Sequence, residues 1–325
     1  MESVRTATEE DVAVLDLTPL TEGRSLDELA VELDRACKDI GFFYVKNHGI
    51  PAEIFQNVFD ATRRYFDIPV SERMAHKMDD KFRRGFMQQG INQHPGYAPD
   101  LKESYEVGTD LPLTHPLVVA GVPLHGPNQW PEDLPWLREA AEAYFLETQA
   151  LGERLLRVFA TALGMEDGFF LQYCKTPMVQ MRLFHYPPQT TIPDEDTGFG
   201  VAPHTDYGMI TLLSQDPIGG LELRTRRGDW VQAPYIDGTL IVNLGDLLRR
   251  WTNDIYVSNP HRVVNRTGKE RYSIPMFFNL DFDAPVECLP TCQSLENLPK
   301  HEPIKSGDYL MGRFKDVQKY GQKLA

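Results

Sequence analysis

The chain has 325 residues, of which 42% are hydrophobic and 25% charged, and its formal net charge is −14. That is enough chain to bury a substantial core without disulfides or structural metals. The acidic excess is spread along the sequence and argues against nucleic acid or an anionic membrane surface as partner, since both would repel it.

In chain order, the first clear helix spans residues 25–40. Ser25 and Glu28 have capping-box spacing, and Leu26, Leu29, Ala30, Leu33, Ala36, Cys37 and Ile40 repeat with helical period. Gly41 supplies a stop, and Phe42–Val45 reads as a strand. A second helix is expected from Ala52 to Phe66, before Pro69. Residues 79–129 are rich in Gly, Pro, Gln and His, with only Ser104–Val107 reading as extended. A loop region of that length often carries function. Pro135 opens a long amphipathic helix that Gly164 closes after Leu163.

From about Pro177 the texture changes to short apolar segments punctuated by Gly, Pro, Asn and Asp, as in a β-sandwich or barrel. We therefore divide the chain into a helical and loop region, 1–176, and a β-rich region, 177–325. Residues 308–325 have helical composition, and the sequence leaves open whether they fold over the barrel mouth. Cys37, Cys174, Cys288 and Cys292 fit neither a disulfide framework nor a zinc site and read as reduced thiols. No run reaches membrane-spanning length, and the first residues lack the apolar core of a secretory signal, so a cytoplasmic protein is expected.

The chemistry lies in the β-rich part. His204-Thr205-Asp206 and His261 supply two imidazoles and a carboxylate, the set that holds non-haem Fe(II) on one face of an octahedron. If a strand begins at His204, positions 204 and 206 point to one side and both reach one ion. An isolated His-x-Asp is more often an ordinary hydrogen-bonded pair. Ten residues past His261 comes Arg271-Tyr272-Ser273, and strand periodicity puts Arg271 and Ser273 on one face. A guanidinium beside a hydroxyl is a carboxylate receptor, although Arg271 alone could simply balance Glu270.

These motifs belong to a longer series: Tyr186-Pro187-Pro188, His204-Thr205-Asp206-Tyr207-Gly208, Gly219-Gly220-Leu221, Asn243-Leu244-Gly245-Asp246, Trp251-Thr252-Asn253, His261-Arg262-Val263 and Arg271-Tyr272-Ser273. From Met181 to Phe282 the chain resembles the core of the Fe(II)/2-oxoglutarate-dependent dioxygenases, in the isopenicillin N synthase-like branch. Gly41–Val45 and Asn47–Pro51 resemble that family's N-terminal region. The resemblance implies a mixed α/β, mainly β fold, with N-terminal helices packed on a double-stranded β-helix or jelly-roll.

It further implies that His204, Asp206 and His261 are iron ligands, and that Arg271, Ser273 and Tyr186 bind the distal carboxylate of 2-oxoglutarate. Dioxygen would be consumed and 2-oxoglutarate decarboxylated to succinate and CO2. A small-molecule substrate would then be hydroxylated, desaturated or cyclised, with no obligate protein partner. A carboxylate at 206 argues against halogenation. Phe184 stands where plant members often carry an asparagine that contacts the cosubstrate.

Candidate substrate contacts are Arg83, Arg84, Phe86, Met87, Gln88 and Tyr105 from the irregular segment, and Phe277 or Phe278 after the Arg–Ser pair. Among the other histidines, His185 is expected to face away from the iron and His48 to be structural. His76, His94, His115, His125 and His301 read as surface or turn residues. Asn243, Gly245, Asp246 and Trp251 read as fold determinants, and Arg249 and Arg250 as a solvated pair. Two alternatives stay open at this point. The Arg-x-Ser pair could clamp a substrate carboxylate in an oxidase that uses no 2-oxoglutarate, or the jelly-roll could bind a metal or ligand without turnover.

Overall fold

The computed structural model describes residues 4–189 and 198–321, with side chains described as far as residue 315. Its main sheet has eight strands. Four come from the N-terminal half: β1 (Ala13–Asp16), β2 (Phe42–Lys46), β3 (Gly85–Met87) and β4 (Glu103–Gly108). Further along follow β5 (Gln180–Tyr186), β6 (Val201–His204), β7 (Ile210–Gln215), β8 (Leu221–Arg224), β9 (Trp230–Gln232), β10 (Thr239–Leu244), β11 (His261–Val263) and β12 (Arg271–Phe278). The main sheet runs β1-β2-β10-β7-β12-β5-β4-β3, and a second sheet runs β6-β11-β8-β9. Together they form the jelly-roll.

The two faces of the main sheet do different jobs, and strand alternation assigns them. Phe42, Tyr44, Phe184 and Tyr186 pack inward with Val201, Leu221, Leu223 and Val263 of the second sheet. Their neighbours Phe43, Val45, Met181 and Leu183 face outward and join a larger core with the helices. The helices Asp27–Asp39, Ala52–Phe66 and Pro135–Ala162 cover that outer face, close to their expected bounds. At Gly152 of the long helix an added Cβ would lie 2.5 Å from the Phe278 ring, so the glycine sets how closely helix and sheet approach.

Several expectations need correction. Residues 1–176 are more than helix and loop, because β1–β4 extend the same sheet as β5–β12; the two spans share one core. Those strands are short and gain their stability from distant partners, β2 from β10 and β4 from β5. Ser25 bonds to Asp27, through both its backbone N–H and its carboxylate, rather than pairing with Glu28 in a capping box. His204 ends a strand rather than beginning one, since β7 starts only at Ile210. The C-terminal helix, Ser306–Gly321, starts two residues early and sends Leu310 and Phe314 to the barrel mouth. The remainder of the expected segment, 322–325, lies outside the described residues. Among the described residues no helix is long and apolar enough to cross a membrane.

Candidate active site

His204 is the last residue of β6, and His261 is the first of β11, directly opposite it in register. Asp206 sits two residues past β6, in the turn before β7. Its Oδ1 lies 3.7 Å from His204 Nε2 and 3.8 Å from His261 Nε2, and one ligand atom from each residue falls within 4.8 Å of the others. Each histidine turns its other nitrogen to a carbonyl: His204 Nδ1 to Ala202 O at 2.8 Å, His261 Nδ1 to Asn259 O at 3.2 Å. A carbonyl can only accept, so Nδ1 carries the proton and Nε2 offers its lone pair to the shared point. Burial, with His261 and His94 beside it, holds the His204 imidazole well below its ordinary protonation range.

The carboxylate is oriented as well. Asp206 Oδ2 accepts from Thr211 Oγ1 at 2.6 Å and from Asn243 Nδ2 at 2.7 Å, which leaves Oδ1 for the two imidazoles. Asn243 and Thr211 were not legible as site residues. They lie on strands β10 and β7, and only the fold brings them to Asp206. His94, expected at the surface or in a turn, does open a turn, with Tyr97 N donating to its carbonyl at 3.1 Å, but its half-buried ring stacks on His204, with centroids 4.9 Å apart. The cause is buried Asp100, whose Oδ1 accepts from Ala202 N at 3.0 Å and whose Oδ2 accepts from Lys102 Nζ at 2.5 Å, folding the loop back onto β6. His125, also expected at the surface or in a turn, is buried between the Pro123 and Thr176 carbonyls.

Arg271, Ser273 and Tyr186 meet at one end of the lumen. Arg271 is 0% exposed; it donates to Gly219 O and to Ser273 Oγ (3.1 Å), and its guanidinium lies 4.4 Å from the Tyr186 ring centroid. Gly220, at φ +87°, lets the chain pass tightly there, because an added Cβ would meet Val264 O at 2.7 Å. Among the described residues no carboxylate pairs with Arg271. A fully buried cation without a counter-ion is costly. The small cavity it faces also reaches Phe184, His204, Asp206 and His261, so the donor set fits a dicarboxylate that bridges clamp and metal.

A larger cavity, about 140 Å³, continues from the triad towards the barrel mouth. Arg83 and Phe277 line it, as do Gln180, Arg182, Tyr207 and Phe314. The other expected substrate contacts do not. Arg84 is fully buried and donates to the Phe82 and Leu124 carbonyls. Phe86 and Tyr105 pack on Tyr65 in the helix-facing core, where the Tyr105 hydroxyl bonds to Gln129 O. Met87 is buried outside the cavity and Gln88 is exposed. Phe278 faces Gly152, one step out of phase with Phe277 on β12. His185 points away from the lumen, onto Glu103.

Two family models match the chain. One, described as the N-terminal region of a non-haem dioxygenase in morphine synthesis, covers residues 12–133; the other, the 2OG-Fe(II) oxygenase superfamily, covers 177–280. A 2-oxoglutarate-Fe(II) type oxidoreductase of Emericella nidulans is 38% identical over 317 residues, spanning 95% of this chain and 90% of that protein. The chain belongs to the Fe(II)/2-oxoglutarate-dependent oxygenases. A Glycine max homoarginine-6-hydroxylase is 34% identical across 93% of this chain and 96% of its own length. Among solved structures, a full-length Neurospora crassa protein in complex with alpha-KG superposes with a TM-score of 0.83 at 29% identity, covering 96% of this chain and all of that one. The same Neurospora crassa protein has been solved with thymine bound as well. This oxygenase therefore uses Fe(II), 2-oxoglutarate and dioxygen, and neither an oxidase without 2-oxoglutarate nor a non-catalytic jelly-roll is supported.

Proposed function

We propose that His204, Asp206 and His261 hold the iron, that Arg271, Ser273 and Tyr186 hold 2-oxoglutarate, and that a small molecule is oxidised in the cavity beyond them. The observation carrying this reading is the fully buried Arg271, with no carboxylate in salt-bridge contact among the described residues, at one end of the lumen that contains the triad. Bound iron with 2-oxoglutarate supplies the oxidising power against a C–H bond, and the chain's own residues supply position. Arg271 and Ser273 anchor the distal carboxylate, Phe184 walls the lumen between the clamp and the outer cavity, and Thr211 and Asn243 keep one Asp206 oxygen turned to the metal. Leu310 and Phe314 of the C-terminal helix close the mouth and exclude water.

Truncating one partner of a buried charged pair costs about 2–5 kcal/mol. Arg271→Ala should therefore raise the apparent KM for 2-oxoglutarate by roughly tens- to thousands-fold. Arg271→Lys should recover only part, since an ammonium lacks the planar fork. The measurement is succinate formation by the iron-loaded enzyme. A KM for 2-oxoglutarate that Arg271→Ala leaves unmoved would reject the clamp.

A further inference from the structure

We propose that the molecule oxidised is a small carboxylic acid carrying one negative charge, received by Arg83 with Gln180 as a second donor. The inference rests on the reading above, in which the triad and the Arg271 clamp mark the oxidising centre.

Two paired strands turn their inward faces to the lumen. On β5, Gln180, Arg182, Phe184 and Tyr186 face the lumen; on β12, Arg271, Ser273, Pro275 and Phe277 do. Arg271 pairs with Tyr186 at one end and Phe277 with Gln180 at the other, with register partners roughly 20 Å apart along the strand. The lumen is thus one channel with cationic groups at both ends, an aromatic middle and the triad beside it. A cosubstrate anchored at Arg271 leaves the far end to another molecule.

The charges at that far end do not cancel. Lys102 is neutralised by Asp100 at 2.5 Å, and Arg182 by Glu106 at 3.2 Å. Arg83 pairs with no carboxylate among the described residues, and its Nε has no hydrogen-bond partner although it is out of solvent. Gln180 is 4% exposed and its Nε2 is also unpartnered. Among the described residues, Arg83 is thus a cavity cation with no carboxylate within 4 Å, and Gln180 offers an amide donor to the same cavity, a set that matches a carboxylate. A cationic substrate would instead meet the positive charge of Arg83 with no carboxylate beside it among the described residues.

The backbone is built to present Arg83. It sits at φ +59°, a region disfavoured for a residue with a Cβ. Asp79 holds the turn by accepting from Phe82 N at 2.5 Å and Arg84 N at 3.3 Å. The consequence is that adjacent arginines diverge. Arg84 turns to buried carbonyls, and Arg83 turns to the cavity, where its guanidinium lies 5.0 Å from the Phe314 ring centroid. Strain of this kind persists where the surrounding structure enforces it, often at functional positions. Phe277, Tyr207 and Phe314 provide flat apolar walls, so the body of the acid should be apolar and preferably planar.

The test is calorimetric titration of the full-length protein, loaded with Mn(II) and 2-oxoglutarate without oxygen, against phenylacetate, phenylacetamide and phenethylamine. We expect the acid to bind at least about tenfold tighter than the amide, and the amine least. Arg83→Asn removes the charge with the side chain most tolerant of a left-handed backbone. It should weaken phenylacetate binding by at least about thirtyfold while leaving the Kd for 2-oxoglutarate unchanged. Amide or amine binding as tightly as the acid, or an Arg83→Asn protein that keeps its affinity for the acid, overturns the proposal. The wild-type comparison alone decides it if the variant misfolds. Failure of 2-oxoglutarate itself to bind would instead reject the reading of the centre, whereas normal 2-oxoglutarate binding without acid preference rejects this inference only.

Discussion

Asp206 shows how much of this site depends on single atoms. One carboxylate oxygen is held by Thr211 and Asn243 and the other is left to the imidazoles, so removing either support should loosen the metal without unfolding the protein. Partners of this kind typically contribute about 10–100-fold in metal affinity. We expect Thr211→Val and Asn243→Ala each to weaken Fe(II) binding within that range in a chelator competition. His204→Ala or His261→Ala should weaken it sharply and abolish turnover. Wild-type affinity in both support variants would show that the two hydrogen bonds orient nothing. The grouping of His204, Asp206 and His261 was legible because their types and spacing are specific. Asn243, Thr211 and His94 were not, because each reaches the site through pairing or packing across long sequence separations.

At the scale of the element, β5 divides the labour between its two faces. Its inward side chains line the lumen, while His185 faces outward and bonds Glu103 of β4 at 2.7 Å; Arg73 reaches the same carboxylate at 2.8 Å. Burial raises the Glu103 pKa, but the hydrogen bonds from His185 and Arg73 more than offset this, leaving it below the ordinary value of 4.5. A carboxylate depressed in the fold contributes stability above its unfolded pKa and loses it as pH falls through the folded value. Removing one partner of a buried pair costs about 3–5 kcal/mol. Glu103→Gln should therefore be destabilised by about that much at pH 7 in urea melts, with the gap to wild type narrowing below pH 4. A gap independent of pH would mean that the residue acts through packing alone. The helices were readable at this scale because their periodicity is local: Ala52–Phe66 matches its expected bounds. β1 and β3 were not, since three- or four-residue strands declare themselves only through their partners.

For the molecule as a whole, the decisive link joins the two ends of the oxygenase region. Asp246, read from sequence as a fold determinant, accepts from Thr205 Oγ1 at 3.2 Å and from Tyr309 Oη at 3.3 Å, with Arg313 at 3.8 Å. Its backbone N–H also bonds to Asp206 O at 2.8 Å. The helix that lines the cavity mouth is thus fastened to the loop carrying Asp206, and Phe314 packs on Tyr207 of that same loop. A hydrogen bond to a charged group contributes about 1.5–3 kcal/mol. Tyr309→Phe combined with Arg313→Ala should therefore let residues 306–315 open more often, with amide exchange there about ten- to a hundredfold faster. Fe(II) and 2-oxoglutarate should still bind, because the triad and clamp lie on strands or in the turn between them. Succinate formation without added substrate should rise, since the mouth no longer excludes water. Faster exchange with unchanged uncoupled turnover would show that the helix caps the barrel without guarding its chemistry.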